Sequence, residues 1–254
     1  MTISKKLRLY QIYSFITLLV WFYVGSPTYV HAFIIIILGI LIARIGSEAG
    51  FHRLFSHNSY KVSPIKETIL LLWGTCMGIG SSIGWANTHR LHHKYSDTEY
   101  DPHIPMLTTA LTGLKSGSLS HSKIVTRDLM RKPLHAFTHK HYFVILSVYV
   151  SILTSVSIMF KTFDIVLLGF AIPNLVLHFL YELNLDHFAG YTNFKTDDNS
   201  KNSNLIRFSL LGAGLHNNHH YDPTAANLNF RNQWWEFDLD YFFIKLLFEN
   251  KKHV

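Results

Sequence analysis

The chain has little charge and almost no cysteine. Of its 254 residues, 15% are charged, against about 25% in a typical soluble domain. The single cysteine, Cys76, excludes an intramolecular disulfide, a cysteine-based zinc site and an intrinsic iron–sulfur cluster. The net charge of +7 comes without any basic run interleaved with aromatics, so it does not indicate nucleic-acid binding. Sparse charge and a hydrophobic content of 48% indicate a membrane protein.

Long apolar segments account for much of the hydrophobic content. Four of them approach the roughly 20 residues that a membrane-spanning helix needs, and they occupy residues 9–25, 29–46, 142–160 and 163–183. Ser26-Pro27-Thr28 separates the first pair and Lys161-Thr162 the second, so we predict two helical hairpins. A fifth stretch, residues 68–86, contains four glycines and is predicted to be an interfacial or re-entrant helix.

The basic residues fall almost entirely on one side of these spans. Of the 23 Lys and Arg residues, only Lys161 lies in a turn on the far side, and Arg44 lies near the end of a span. This bias is typical of a cytoplasmic face. The first apolar run has no small-residue cleavage site, and we interpret it as a retained helix. We therefore expect one all-α integral-membrane domain over residues 1–254, in a bacterial inner membrane, with both termini cytoplasmic.

Many of the 17 histidines fall in three clusters. These read HRLFSH from residue 52, HRLHH from residue 89 and HNNHH from residue 216. Positions i, i+3 and i+4 share one face of an α-helix, so the second and third clusters are each predicted to converge. His52 and His57 are about 140° apart on a regular helix and converge only if the helix ends or bends between them. The predicted topology places all three clusters on the cytoplasmic side.

Eight imidazoles in three such clusters indicate a metal site. They exceed the roughly four ligands of one zinc ion, which often include cysteine or carboxylate, and so favour two metal ions. Imidazole suits iron, copper, nickel and zinc, so the ligands alone leave the metal open. The candidate ligands are His52, His57, His89, His92, His93, His216, His219 and His220.

Several carboxylates near the clusters are candidates for hydrogen bonds to the ligand rings, because acidic side chains often accept the second ring N–H of a ligating histidine. Helix capping, or pairing with Lys94 and Arg90, is an equally good alternative. The candidates are Asp97, Glu99, Asp101 and Asp222. The isolated histidines are interpreted as packed or surface residues, with His178 placed to bond Glu182: His31, His121, His135, His139, His141, His178 and His253.

The clusters and their flanking residues resemble the membrane fatty-acid desaturases, specifically the stearoyl/acyl-CoA Δ9 type. YSDT at residues 95–98 and DPH at residues 101–103 follow the second cluster, and WWE-x-D at residues 234–238 follows the third. Members of this family carry similar stretches at these places. The resemblance covers roughly residues 8–248, which is nearly the whole chain.

The resemblance implies four spanning helices and a cytoplasmic helical cap that holds two iron ions. It carries the eight histidines over as iron ligands and adds His187 as a ninth, because His187-Phe188-Ala189-Gly190 matches the end of a family pattern, N-S-x-x-H-x-x-G. Two positions depart from the family. Leu183 stands where the family has asparagine, with Asn184 only three residues before His187, and Gly212-Ala213-Gly214 replaces a G-E-G.

The resemblance also implies the reaction, which uses O2 and two electrons to introduce a cis double bond, at Δ9, into a saturated acyl chain. Trp73 and Trp85 are candidate residues of the acyl tunnel, with core or membrane-belt packing as the alternative. Asn87-Thr88 stands where acyl-CoA members often have Arg-Asp, which leaves acyl-CoA, acyl-lipid and acyl-carrier protein open as substrates. No haem or flavin motif is present, so we expect a ferredoxin-like or cytochrome b5-like donor on the basic face.

Two other functions stay open on sequence grounds. A hydroxylase or ketolase would use the same di-iron scaffold, although the DPH and WWE-x-D segments favour a desaturase. A histidine-rich metal transporter would carry polar or ionisable residues along its spans, whereas the three clusters lie outside the predicted spans.

Overall fold

A computed structural model describes residues 3–104, 124–183, 185–204, 214–231 and 233–249. The predicted positions that lie outside the described residues are His121, Asn184, Gly212, Ala213 and His253. The described residues form helices and loops, and the only β-pairing among them is two isolated bridges, which join Asn202 to Tyr191 and to Leu215. The prediction of an all-helical chain is therefore confirmed for these residues.

Among the described residues, ten helices can be followed in chain order, besides a short 3-10 helix at Leu185–His187. They are α1 (Ile3–Val20, extended by Trp21–Gly25), α2 (Tyr29–Arg44, extended by Ile45–Ser56), α3 (Pro64–Cys76), α4 (Ser82–Tyr95), α5 (Arg127–Met130), α6 (Pro133–Lys140), α7 (Tyr142–Met159), α8 (Asp164–Val166, Leu167–Ala171 and Ile172–Leu183 in one run), α9 (His216–Tyr221) and α10 (Leu239–Phe243, extended by Ile244–Phe248).

Three of the described helices are long and apolar enough to cross a membrane. They cover Lys5–Gly25, Tyr29–Ser56 and Tyr142–Met159, and the apolar helix Asp164–Phe179 is shorter. Phe15, Phe33 and Ile152 are more than half exposed on these helices, as expected where lipid rather than water surrounds a helix. Three of the four predicted spans thus have matching helices, and the fourth span stays a prediction.

The stretch predicted as a single interfacial or re-entrant helix, residues 68–86, is instead parts of α3 and α4 joined by a turn. Gly78 and Gly80 have φ values of +77° and +106°, in the region that favours glycine, and they end α3. The side chain of Asn174 on α8 donates to the carbonyls of Met77 and Gly78 at 3.1 and 3.4 Å. This turn therefore satisfies its backbone groups through a side chain of a neighbouring apolar helix.

Wide, π-type turns carry α2 beyond its apolar part, from Ile45 to Ser56. A π-helix closes its hydrogen bonds between residues i and i+5, so residues five apart lie nearly one above the other. The rings of His52 and His57 consequently approach to 5.3 Å between centroids. His52 and His57 therefore converge as expected, because the helix widens before them and ends at Ser56.

The C-terminal segment is fastened to the end of α2 by buried ion pairs. Arg44 contacts Asp240 at 2.6 Å, and Arg53 contacts Asp238 at 2.7 Å and Asp240 at 3.5 Å. All four side chains are at most 5% exposed. These contacts and a shared apolar core position α10 against the end of α2, where the first histidine cluster lies.

Candidate metal centre

Nine histidines from four parts of the chain come together in two adjacent groups. In each group, one ring nitrogen from every histidine lies within 4.8 Å of those of all the other members. This distance is close to the separation of about 4.2 Å between ligand atoms on opposite sides of one metal ion. The five-histidine group contains His52, His57, His89, His93 and His219. The four-histidine group contains His92, His187, His216 and His220.

The rings of the five-histidine group point their Nε2 atoms at each other. His219 Nε2 lies 2.8 Å from His52 Nε2 and 2.9 Å from His93 Nε2. His89 Nε2 lies 2.8 Å from His57 Nε2 and 3.1 Å from His93 Nε2. Because the Nδ1 of His52 contacts a carboxylate, its proton belongs there, and its Nε2 presents a lone pair to the group.

The four-histidine group includes two buried nitrogens that lack a hydrogen-bond partner among the described residues, His92 Nε2 and His220 Nε2. Buried polar atoms normally have a partner, and an imidazole lone pair is a good metal donor. His187 Nε2 lies 2.9 Å from His216 Nε2. The unpaired nitrogens therefore fit a metal ion in this group, and the converging Nε2 atoms of the five-histidine group fit a second one.

The helical clusters are divided between the groups rather than converging as units. On α4, His89 and His93 belong to the five-histidine group, whereas His92 belongs to the other. On α9, His219 separates in the same way from His216 and His220. The prediction that each cluster converges as one face was therefore too simple, because residues i+3 and i+4 diverge by about 100° and reach different neighbours. The rings of His93 and His220, one from each group, stack at 4.3 Å.

The two asparagines inside HNNHH hold α9 in place. Asn217 Oδ1 accepts the backbone N–H groups of Asn193 and Phe194 at 2.8 and 2.9 Å. Asn218 donates to the carbonyl of Leu228 at 2.8 Å. Both asparagines are fully buried, so this six-residue helix is fixed by side-chain hydrogen bonds on the face opposite its histidines.

Four carboxylates contact the Nδ1 atoms of group histidines. Asp97 lies 3.1 Å from His187 and Asp101 lies 3.0 Å from His92, and both were predicted candidates. Glu99 and Asp222 do not reach a group histidine. Glu99 contacts the Tyr100 hydroxyl, and Asp222 caps a turn by accepting from Thr224.

Two further carboxylates that contact group histidines were not predicted from the sequence. Glu48 lies 2.6 Å from His52 Nδ1, and Asp198 lies 2.6 Å from His220 Nδ1. Glu48 precedes His52 by four residues on the same helix, a spacing that could have identified it. Asp198 lies in a loop between α8 and α9, and no sequence pattern links it to His220.

Burial keeps most group histidines neutral. Loss of solvation, with added repulsion from neighbouring rings, lowers the pKa of His57, His89, His93, His216 and His219 well below the usual value. Burial also lowers the pKa of His220 to about 4, although Asp198 opposes the shift. A neutral imidazole is the form that binds a metal, so these rings are ready for ligation at neutral pH.

The metal-free protein is expected to lose stability steeply as the pH falls from about 6.5 to 4. Below 6.5 the unfolded chain binds protons on these histidines, while burial keeps them neutral in the fold, so acid favours the unfolded state. Each such histidine contributes about 1.4 kcal/mol per pH unit. Thermal unfolding of chelator-treated protein at pH 7.5, 6.5 and 5.5 measures this. A melting temperature that is constant over this range would contradict it.

Substituting Asp198→Asn is expected to weaken metal binding by about 10- to 100-fold, because the carboxylate that orients His220 is lost. Asp222→Asn is the matched control, since among the described residues the Asp222 carboxylate contacts only its own turn. Metal retention during a chelator titration measures both variants. Equal retention by the two would contradict a role for Asp198 in orienting His220.

An apolar cavity of about 800 Å³ leads to the five-histidine group. Trp85, Thr88 and His89 form its inner wall, and the Trp85 indole stacks on the His89 ring at 4.7 Å. Of the two predicted tunnel residues, Trp85 therefore lines the cavity. Trp73 instead packs in the core and donates its indole N–H to the Ile42 carbonyl at 3.2 Å.

The described isolated histidines are packed or partnered outside the two groups. His31 contacts Asp164, and His135 contacts Glu67 and Ser82. The Nε2 of His178 lies 3.1 Å from the Gly78 carbonyl. His139 contacts Ser81, and His141 packs on Phe137.

Comparison with known proteins agrees with these features. The family model for fatty acid desaturases matches residues 27–238. An sn-1 stearoyl-lipid 9-desaturase of Anabaena variabilis is 31% identical, over 80% of this chain and 75% of its own length. The enzyme of the same name from Synechocystis is 29% identical, over 83% and 67%. An acyl-CoA C20 Delta5-desaturase of Anemone leveillei is 28% identical, over 80% and 66%.

Proposed function

This chain belongs to the fatty acid desaturase family and is an oxidoreductase that desaturates fatty acyl chains, and from this premise we propose that it introduces a cis Δ9 double bond at a di-iron centre. One observation carries the proposal: the 800 Å³ apolar cavity has His89, a member of the five-histidine group, in its inner wall. An acyl chain in this cavity would lie against the proposed metal centre.

Each histidine group would hold one iron. Iron bound there would supply the oxidation of an unactivated methylene by O2, which no amino-acid side chain can perform. The proposed ligands are the nine histidines of the two groups, and iron is preferred over other imidazole-binding metals because of the family.

The chain itself orients the ligands and the substrate. Glu48, Asp97, Asp101 and Asp198 hold protons at the Nδ1 atoms of four histidines, so that the Nε2 lone pairs face inward. The indole of Trp85 and the backbone of Gly84, which has no side chain, line the cavity beside His89. The apolar lining would exclude water from the acyl chain and hold one methylene beside the metal centre.

We further propose a four-span topology in a bacterial inner membrane, with both termini and the histidine groups on the cytoplasmic side. The three apolar helices and the one-sided distribution of Lys and Arg support this orientation. The two electrons would come from a separate ferredoxin-like or cytochrome b5-like protein, which would dock on the basic cytoplasmic face.

The stearoyl-lipid 9-desaturases among the relatives favour a lipid-bound stearoyl chain and the Δ9 position. Expression in a desaturase-deficient host, with double-bond mapping of total fatty acids, tests the proposal. We expect Δ9 monounsaturated chains from the wild type and none from His92→Ala. A hydroxylated chain without an alkene would overturn the reaction, and unchanged product from His92→Ala would overturn the metal assignment.

A further inference from the structure

We propose that Lys6 and Lys140 bind the phosphate of a membrane phospholipid whose acyl chain occupies the cavity beside the histidines. This inference rests on the proposed function and specifies its substrate class. It concerns the outer rim of the cavity, where two lysines from different helices line the same opening.

The rim is built from the first turns of two candidate membrane spans. Lys6 and Leu7 lie at the start of α1, while Lys140 ends α6 and Tyr142, Phe143 and Val144 begin α7. The opening is therefore at the depth where these spans leave the apolar part of the membrane. Phospholipid phosphates occupy this same depth, just outside the hydrocarbon region.

The charge of the rim suits an anion. Among the described residues no carboxylate lines the cavity, and neither Lys6 nor Lys140 forms an ion pair. The Lys6 ammonium lies 4.8 Å above the ring of Phe143, which holds it at the opening. By contrast, Lys132, which directly precedes α6, is paired with Glu67 at 2.6 Å.

Apolar residues continue from the cavity onto the lipid-facing surface. Leu7, Phe143 and Val144 line the cavity at the rim, and Val144 is 63% exposed on the surface of α7. An acyl chain could pass from the bilayer into the cavity without contacting water. A water-soluble carrier such as acyl-CoA gains nothing from a lateral opening of this kind, so the position of the rim favours a membrane lipid.

The test compares two stearoyl lipids that differ in phosphate. The enzyme and its Lys6→Gln, Lys140→Gln and double variants are reconstituted, with an electron donor, in vesicles of distearoyl phosphatidylglycerol and uncharged distearoyl monogalactosyldiacylglycerol. Removing either lysine removes its attraction to the lipid phosphate, so each single variant should lower the ratio of phospholipid to galactolipid product about fivefold. The double variant should lower this ratio about 25-fold. Lys61→Gln is the matched control, because Lys61 is exposed and, within the described part of the chain, its ammonium bonds only Asn58.

A diazirine-labelled stearoyl phosphatidylglycerol provides a readout that does not depend on turnover. We expect it to crosslink to residues 139–144 of the wild type and much less to the double variant. An unchanged product ratio, or crosslinks elsewhere only, would overturn the phosphate site while leaving the desaturase function intact. Desaturation of stearoyl-CoA but of neither lipid would also overturn it. Absence of alkene from every carrier would instead count against the proposed function.

Discussion

Substitution of His219 by alanine is expected to abolish desaturation and to lower bound iron from about two ions to about one. His219 lies centrally in the five-histidine group, with its Nε2 within 2.9 Å of the Nε2 atoms of both His52 and His93. The substitution removes this central ligand from the five-histidine group, whereas the four-histidine group keeps all its members. Iron analysis of the purified protein and fatty-acid profiles of the expressing cells measure the two effects.

His31→Ala is the matched control for this experiment. The imidazole of His31 contacts Asp164, is 43% exposed and lies outside both groups. We expect this variant to retain about two irons and wild-type product. Wild-type iron content and wild-type product from His219→Ala would contradict the assignment of His219, and loss of both irons would show that the two groups bind metal cooperatively.

Arg53→Met is expected to destabilise the fold by about 3–5 kcal/mol, because it leaves buried charge uncompensated. Arg53 is 1% exposed, and it donates to both oxygens of Asp238 at 2.7 and 2.9 Å and to the Ala226 carbonyl at 2.6 Å. With its partner gone, the Asp238 carboxylate would be buried beside Asp240 with less positive charge nearby. At about 2–4 °C per kcal/mol for a chain of this size, the melting temperature should fall by about 10 °C.

Lys132→Met is the matched control for this stability change. Lys132 forms an ion pair with Glu67 of similar length, 2.6 Å, but its side chain is 49% exposed. Exposed pairs contribute about 0–1 kcal/mol, so we expect a shift of at most a few degrees. Thermal unfolding followed by tryptophan fluorescence compares the two variants. Equal shifts would mean that the buried cluster of Arg44, Arg53, Asp238 and Asp240 does not hold the C-terminal segment in place.

Local spacing was sufficient to find most of the candidate site. The three clusters at residues 52, 89 and 216 are recognisable because histidines three, four or five apart have a chemical reason to be near each other. The long apolar runs likewise predicted three helices that the structure contains. Residue His187 stands alone in the sequence and was found only through its resemblance to a family pattern.

Long-range pairings could not be predicted in the same way. Asp198 reaches His220 across a loop, and Lys6 and Lys140 share one cavity although 134 positions separate them. The break of residues 68–86 into two helices also depends on Asn174, a side chain on a distant helix that satisfies the turn. No pattern within a single segment contains these contacts.

The sequence by itself determined the chemistry of this protein. It provides more imidazole ligands than one metal ion binds, and it places them next to apolar helices. Helical periodicity and hydrophobicity act locally, so they can be read from neighbouring residues. The tertiary structure decided how the nine histidines divide into five and four, which carboxylates hold them, and where the cavity opens. Those outcomes depend on how helices pack, because His92 and His93 are adjacent in the chain yet face different partners.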